Sequence, residues 1–330
     1  MTENSDSSQS NCLTHGPQAR VTVEVPNAPA TFVQKWWTYQ RERFSVFGNG
    51  PLIAAFSFCA VSLSRVLRGQ SGWPAWPQLI VAFGTCFTFF LQLRIADEFK
   101  DFEEDARYRP YRPVQRGLVT LRELGVLFAL GALVQLGLAL WLNPKLLALL
   151  AVTWVYLAAM SKEFFATDWL RRRPIIYMTS HMVIMPLVDL YATSTDWLGT
   201  SGWPPRGLIW FLCASYFNGL AIEIGRKVRS PADEEEGVAT YSRLWGRPVT
   251  VASWWSVMAV TLLFACVVAR RLGVVWIIGG VLAIGFAGGL SFGAWLLRTP
   301  VAGRGKWIER YSGIWTLMLY LSLGLLPHVA

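Results

Sequence analysis

The sequence predicts an all-α, polytopic membrane protein of nine transmembrane helices, and three observations carry that prediction. Of 330 residues, 53% are hydrophobic and only 15% are charged, against about a quarter charged in ordinary soluble domains. The apolar residues gather into nine runs, each about long enough to cross a bilayer. The basic residues concentrate on alternate loops between those runs.

In chain order, residues 1–34 are polar and rich in Ser, Asn, Thr and Pro. They lack the apolar core of a signal peptide or a span, so a disordered cytosolic tail is expected, with the folded unit at 35–330. A short amphipathic stretch, 32–47, carries Trp36, Trp37, Arg41 and Arg43 and is expected to lie along the membrane interface. The apolar runs come next, at 48–67, 77–97, 123–143, 145–164, 174–193, 207–224, 250–269, 273–297 and 308–327. Asn143 and Pro144 make a tight turn between the third and fourth. Most of the 30 Lys and Arg fall in the tail and in the loops after the second, fourth, sixth and eighth runs. The positive-inside bias then places the N-terminus and those loops in the cytosol, with the chain multi-pass in an inner or cytoplasmic membrane.

The net charge of +9 is thus a matter of topology, and no nucleic-acid partner is implied. Five Cys show no CxxC pair and four sit in apolar runs, as small core hydrophobes would, without a disulfide or zinc framework. Seventeen Trp exceed what two interfacial belts need, which hints at an aromatic-lined interior, although Trp also fills lipid-facing surface.

The residues able to do chemistry lie almost entirely on the cytosolic side. Directly after the second run come six acids in nine residues: Asp97, Glu98, Asp101, Glu103, Glu104 and Asp105. At about 100° per residue, Asp97, Glu98, Asp101, Glu104 and Asp105 share roughly a third of a helix circumference. Such repulsion asks for a compensator, and a divalent cation on carboxylate oxygens is the obvious one. The competing reading is a solvated acidic face salted by Arg107, Arg109, Arg112 and Arg116. Carboxylates succeeded by spaced arginines suit a metal-bridged polyanion: Mg²⁺ takes phosphate oxygens while guanidinium groups such as Arg109 and Arg112 take the remaining charge.

A second stretch after the sixth run again mixes acids and bases: Glu223, Arg226, Lys227, Arg229, Asp233 and Glu234. Here Ser230-Pro231-Ala232-Asp233 also reads as a plain helix start. That alternative accounts for Asp233 and Glu234 but not for Glu223 or for Asn218, which sits a turn and a residue earlier. Lys162, closing the fourth run, either meets a phosphate or snorkels. His181 and Asp189 lie inside the fifth run, where ionisable groups are functional candidates by default. No Gly-rich nucleotide loop, GxSxG or HExxH is present.

Nine spans with cytosolic acidic motifs after the second and sixth resemble the UbiA superfamily of intramembrane prenyltransferases. Asp97-Glu98-x-x-Asp101-x-x-x-Asp105 keeps the spacing of that family's first motif, with Asp-Glu replacing Asn-Asp. Arg112-Pro113-Val114-Gln115-Arg116-Gly117 matches the Arg-Pro and Gly that come after it in the family. Of the second motif, Gly237-x-x-Thr240 and Asp233 survive. Two upstream aspartates have no counterpart; Arg226 and Arg229 fall near their places and Glu223 is displaced. Lys162 resembles the basic residue ending the family's fourth span. The resemblance covers about residues 45–330. It implies a bundle around a central lipid-open cavity, with a cytosolic mouth where Mg²⁺ holds an allylic isoprenoid diphosphate of C10 to C20. The implied ligands are Asp97, Glu98, Asp101, Asp105, Glu223, Asp233 and Glu234 for metal. Arg109, Arg112, Lys162, Arg226 and Lys227 are implied for diphosphate, and Asn218 as a polar cavity residue.

Neutralising a diphosphate lowers the barrier to its departure, and the allylic cation left behind needs a dry, aromatic surrounding. Three outcomes are open. A lipophilic acceptor captures the cation (prenyl transfer), the chain's own double bonds capture it (a UbiA-type terpene cyclase), or there is no such chemistry at all. The last would be a divalent-metal permease, which needs acids deep in the bundle, and Asp189 is its one candidate.

Overall fold

The computed structural model describes residues 31–329. The predicted tail lies outside the described residues up to position 30, as do Cys12 and His15. The described chain starts with a capping box: the Thr31 hydroxyl accepts from the Gln34 N–H at 3.3 Å and the Gln34 side chain accepts from the Thr31 N–H at 3.0 Å. That cap opens helix α1 (Phe32–Arg43), so residues 32–34 are helical.

Next come α2 (Val46–Leu67), α3 (Trp76–Lys100), the short α4 (Phe102–Tyr108), α5 (Leu121–Leu142) and α6 (Leu146–Ser161). After them lie α7 (Thr167–Arg171), α8 (Pro174–Met182), α9 (Ile184–Trp197) and α10 (Leu208–Arg226). The chain ends in α11 (Tyr241–Trp245), α12 (Arg247–Arg271), α13 (Val275–Arg298) and α14 (Arg304–Leu325). Helices α8 and α9 form one 24-residue apolar rod, interrupted at Val183 because Pro186 has no N–H for the Met182 carbonyl.

Among the described residues, seven helices are long and apolar enough to cross a membrane: α2, α3, α5, α8–α9, α10, α12 and α13. The remaining two apolar runs differ for visible reasons. Helix α6 has 16 residues, and α14 carries Arg304, Lys306, Glu309 and Arg310 in its first turns.

The long helices close a ring. In sequence order α2, α3, α5, α6, α9, α10, α12, α13 and α14 each pack on the next, and α14 packs back on α2. Helix α9 also touches α2 and α3, and α10 touches α14, so α9 and α10 occupy the middle. Small residues set the closest approaches. A Cβ at Gly285 would lie 2.8 Å from Met318 and one at Gly289 2.8 Å from Met258. This is the dense helix contact expected of that glycine run.

Polar residues buried between spans are tied to one another, as the membrane interior requires. Asp189 accepts from the Tyr320 hydroxyl at 2.6 Å, and Asn218 accepts from Thr316 at 3.1 Å. At the far end Asp196 takes both guanidinium arms of Arg68, at 2.7 and 2.8 Å. The tryptophans mostly face outward rather than lining the interior. Trp254, Trp315 and Trp197 are buried, whereas Trp37, Trp73, Trp76, Trp141, Trp169, Trp203, Trp276, Trp295 and Trp307 are exposed. Their excess is lipid-facing and interfacial surface.

Candidate active site

The two acidic stretches arrive at the same end of the bundle. Helix α3 stops at Lys100, and Asp101, with φ −95° and ψ 11°, joins it to α4. The Asp101 N–H still donates to the Asp97 carbonyl at 2.9 Å and the Asp105 N–H to the Asp101 carbonyl at 2.8 Å, so helical spacing runs through the stretch while its acids take different partners. The Glu98 side chain is fully buried and pairs with Arg43 of α1. Asp105, 1% exposed, is held by Arg109 at 2.9 Å and by Arg112.

Asp97 and Asp101 keep both oxygens free of hydrogen bonds; Glu98 keeps one buried oxygen, Oε2, without a partner, and Glu103 and Glu104 are solvent-exposed. Asp97 has a loose neighbour in Arg94 at 3.7 Å, and its side chain is 39% exposed. Asp101 has no side-chain hydrogen bond or ion pair among the described residues, and burial raises its carboxyl above the usual range, partly opposed by Lys100.

Around this pair lie cations that sequence reasoning did not single out. Lys100 donates to the Tyr177 hydroxyl of α8 at 2.5 Å and lies 4.0 Å from Glu163. Arg94 sits one turn before Asp97. Lys100 was legible in the same stretch, one turn after Asp97. Tyr177 carries no sequence signal. Lys162, at the end of α6, is exposed and makes no ion pair among the described residues.

The second stretch is packed against the first but chemically committed. Arg226 on α10 lies within electrostatic reach of Asp97. Gly237, with φ +74°, sits so close to the Tyr108 ring that a side chain would overlap it. Glu223 pairs with Arg226 at 2.5 Å and Lys227 at 3.0 Å, and accepts from Tyr241 at 3.4 Å. Burial, with the Glu223 charge beside it, raises the Tyr241 phenol, so it stays protonated. Asp233 accepts the Gly303 backbone N–H at 2.8 and 3.0 Å, fastening the loop to the start of α14. Glu234 accepts from Thr240 at 2.6 and 2.8 Å, and the Thr240 oxygen in turn caps α11 through the Arg243 N–H at 3.2 Å. The Gly-x-x-Thr sequence therefore has a local folding reason: a left-handed turn and a helix cap.

Among the described residues no group of three or more His, Cys, Asp or Glu forms a closed metal cage. Mg²⁺ does not need one, because it is commonly held by one or two carboxylates and completed by water and substrate phosphates. Asp97 and Asp101 offer that donor set, with Arg94 and Lys100 beside them for an anion.

A helical ring closed by α14 packing on α2, with unpaired carboxylates and cations at one end, is the architecture of a polytopic helical bundle. The UbiA prenyltransferase family model matches residues 55–321, and the chain belongs to that family. The fold is similar to the solved structure of a digeranylgeranylglyceryl phosphate synthase, at 16% identity and TM-score 0.60, covering 90% of this chain and 99% of that one. It is also similar to an apo UbiA homologue from Aeropyrum pernix K1, at 14% identity and TM-score 0.62, with 83% and 96% covered. A UbiA homologue from Archaeoglobus fulgidus bound to DMAPP and Mg²⁺ aligns at 12% identity and TM-score 0.50, over 83% and 96%. No curated protein sequence matches. The chain is a multi-pass integral membrane protein of this prenyltransferase family.

Proposed function

We propose that this protein ionises an allylic isoprenoid diphosphate at the mouth formed by α3, α6, α8 and α10, and transfers the prenyl group to a lipophilic acceptor. The observation that carries the reading is the pair Asp97 and Asp101, free of hydrogen bonds, set beside Arg94 and Lys100. Mg²⁺ bound there would neutralise the diphosphate and make it a better leaving group.

The chain's own residues do the rest. Asp97 and Asp101 fix the position of the charge. Lys100, held by Tyr177, supplies a directed ammonium to the departing oxygens. Lys162 is free to close over the diphosphate from the end of α6. Glu98, Asp105, Glu223, Asp233 and Glu234 are assigned to structure, because each carboxylate already has its cation or donor. Arg109, Arg112, Arg226 and Lys227 hold those carboxylates and make up the outer ring of positive charge. Asn218, buried with its Nδ2 unpartnered, marks the polar floor below Glu223. We place nine spans in the bilayer with this mouth in the cytosol, in keeping with the basic loops.

Asp189 accepts from Tyr320, and the next buried acid on α9, Asp196, is held by Arg68. This supports an enzyme over a metal permease. Purified protein with Mg²⁺ and C10, C15 or C20 prenyl diphosphate tests the reading. Diphosphate release that needs a phenolic or quinone-precursor acceptor means transfer, and a cyclic hydrocarbon without one means cyclisation. No release under either condition, with metal uptake in proteoliposomes, would refute it.

A further inference from the structure

One buried base beneath this mouth has no assigned work. His181 lies on α8 one turn deeper than Tyr177 and is 7% exposed. Its Nδ1 is 2.8 Å from the Tyr177 carbonyl, which has only a lone pair to offer. Nδ1 therefore carries the proton, and Nε2 carries a bare lone pair. That Nε2 is buried and has no hydrogen-bond partner among the described residues.

The surroundings are aromatic and held in place by other elements. The Tyr177 ring stacks on the imidazole at 4.0 Å. Phe164 meets it edge-on at 5.6 Å, and Tyr156 meets Phe164 at 5.5 Å. Tyr156 donates to the Ser180 carbonyl at 2.5 Å, and Tyr216 of α10 donates to the Thr179 carbonyl at 3.1 Å. Phe164 reaches the imidazole through an unusual backbone. Glu163, Phe164 and Phe165 are three consecutive non-glycine residues with φ of 49°, 52° and 58°. Left-handed conformations at such residues are costly and gather at functional sites.

We propose that His181 is the proton acceptor of the product-forming step, its Nε2 receiving the proton that the prenylated intermediate must lose. The proposal rests on the prenyl-cation chemistry given under the proposed function. The C1–O bond breaks and its electron pair leaves with the diphosphate. A π pair of the acceptor then forms the new bond to C1, and the resulting cation loses a proton to Nε2. The imidazolium so formed keeps its Nδ1–H on the Tyr177 carbonyl. Depth selects His181 over Asp189, the buried acid further along the same rod. His181 lies one turn below the residue that holds Lys100, where C1 of a bound donor would be. Asp189, eight residues further along the rod, lies about 12 Å deeper and is already bonded to Tyr320.

Two measurements on the full-length protein in detergent test this. In ¹⁵N-histidine NMR near neutral pH, with His181→Gln identifying the signal, the wild type is expected to show a protonated Nδ1 and a bare Nε2. The opposite tautomer overturns the assignment whatever the activity. In turnover, His181→Phe and His181→Gln are expected to lower the ratio of prenylated product to diphosphate released at least tenfold, with prenyl alcohol from water capture in its place. An unchanged ratio in both variants, or full product formation in the Gln variant, overturns it. Silence of the wild type with every donor would instead indict the prenyl-cation reading, so the two failures are told apart.

Discussion

The acidic stretches at 97–105 and 223–240 look alike in sequence, yet they differ in what their carboxylates are free to do. In the first, α3 ends at Lys100 and leaves Asp97 and Asp101 open, while Glu98 and Asp105 are drawn to Arg43 and to Arg109 with Arg112. In the second, Glu223, Asp233 and Glu234 are all engaged, by Arg226 and Lys227, by the Gly303 N–H and by Thr240. Charge density alone does not mark a ligand site. An unpaired carboxylate set beside cations, as Asp97 and Asp101 are beside Arg94 and Lys100, is the better candidate.

The comparison breaks most visibly on activity. Asp101→Ala and Asp97→Ala are each expected to cost at least about 100-fold in diphosphate release, the scale of losing one preorganised charge-stabilising group, with little change in thermal stability. Stability should respond next. Glu98→Ala leaves Arg43, whose side chain is 11% exposed, without its carboxylate, and removing one partner of a buried pair costs about 3–5 kcal/mol. Thermal unfolding in detergent should show that loss, while the Mg²⁺ concentration for half-maximal release stays within about twofold. Asp233→Ala removes an acceptor from the α14 start and should cost about 1 kcal/mol, again with the Mg²⁺ dependence unchanged.

The smallest effect is one of pH. Burial raises Asp101 above its ordinary value near 3.9. Between that value and its raised one, the folded chain holds a proton that the unfolded chain has lost. Stability in Mg²⁺-free buffer should therefore fall as pH rises through this window. Asp101→Asn should flatten that slope in thermal melts across acid pH.

Much of the fold was legible because hydropathy over twenty residues is a strong local signal. The run expected at 77–97 is α3 at 76–100, and the run at 174–193 is the α8–α9 rod at 174–197. The site was legible as a place but not in its details. Helical periodicity put Asp97, Glu98, Asp101 and Asp105 on one face, but it could not show that Glu98 and Asp105 would be paired and Asp97 and Asp101 left open. Glu98 finds Arg43 from 55 residues away and Asp233 finds Gly303 from 70. Such pairings depend on how helices pack and leave no spacing to read. The Trp excess pointed inward by count, whereas lipid-facing surface had absorbed most of it. His181 stood out as an ionisable group in a span, but its tautomer needed the Tyr177 carbonyl to be seen.

The central claim is that the first stretch holds the Mg²⁺–diphosphate and the second holds the fold. A Mg²⁺ titration of diphosphate release, run side by side on wild type, Asp101→Ala and Asp233→Ala with one prenyl diphosphate and acceptor, tests it most directly. The account predicts near-complete loss in Asp101→Ala and a wild-type Mg²⁺ midpoint in Asp233→Ala. Retained turnover in Asp101→Ala, or a midpoint raised tenfold or more in Asp233→Ala, would contradict it.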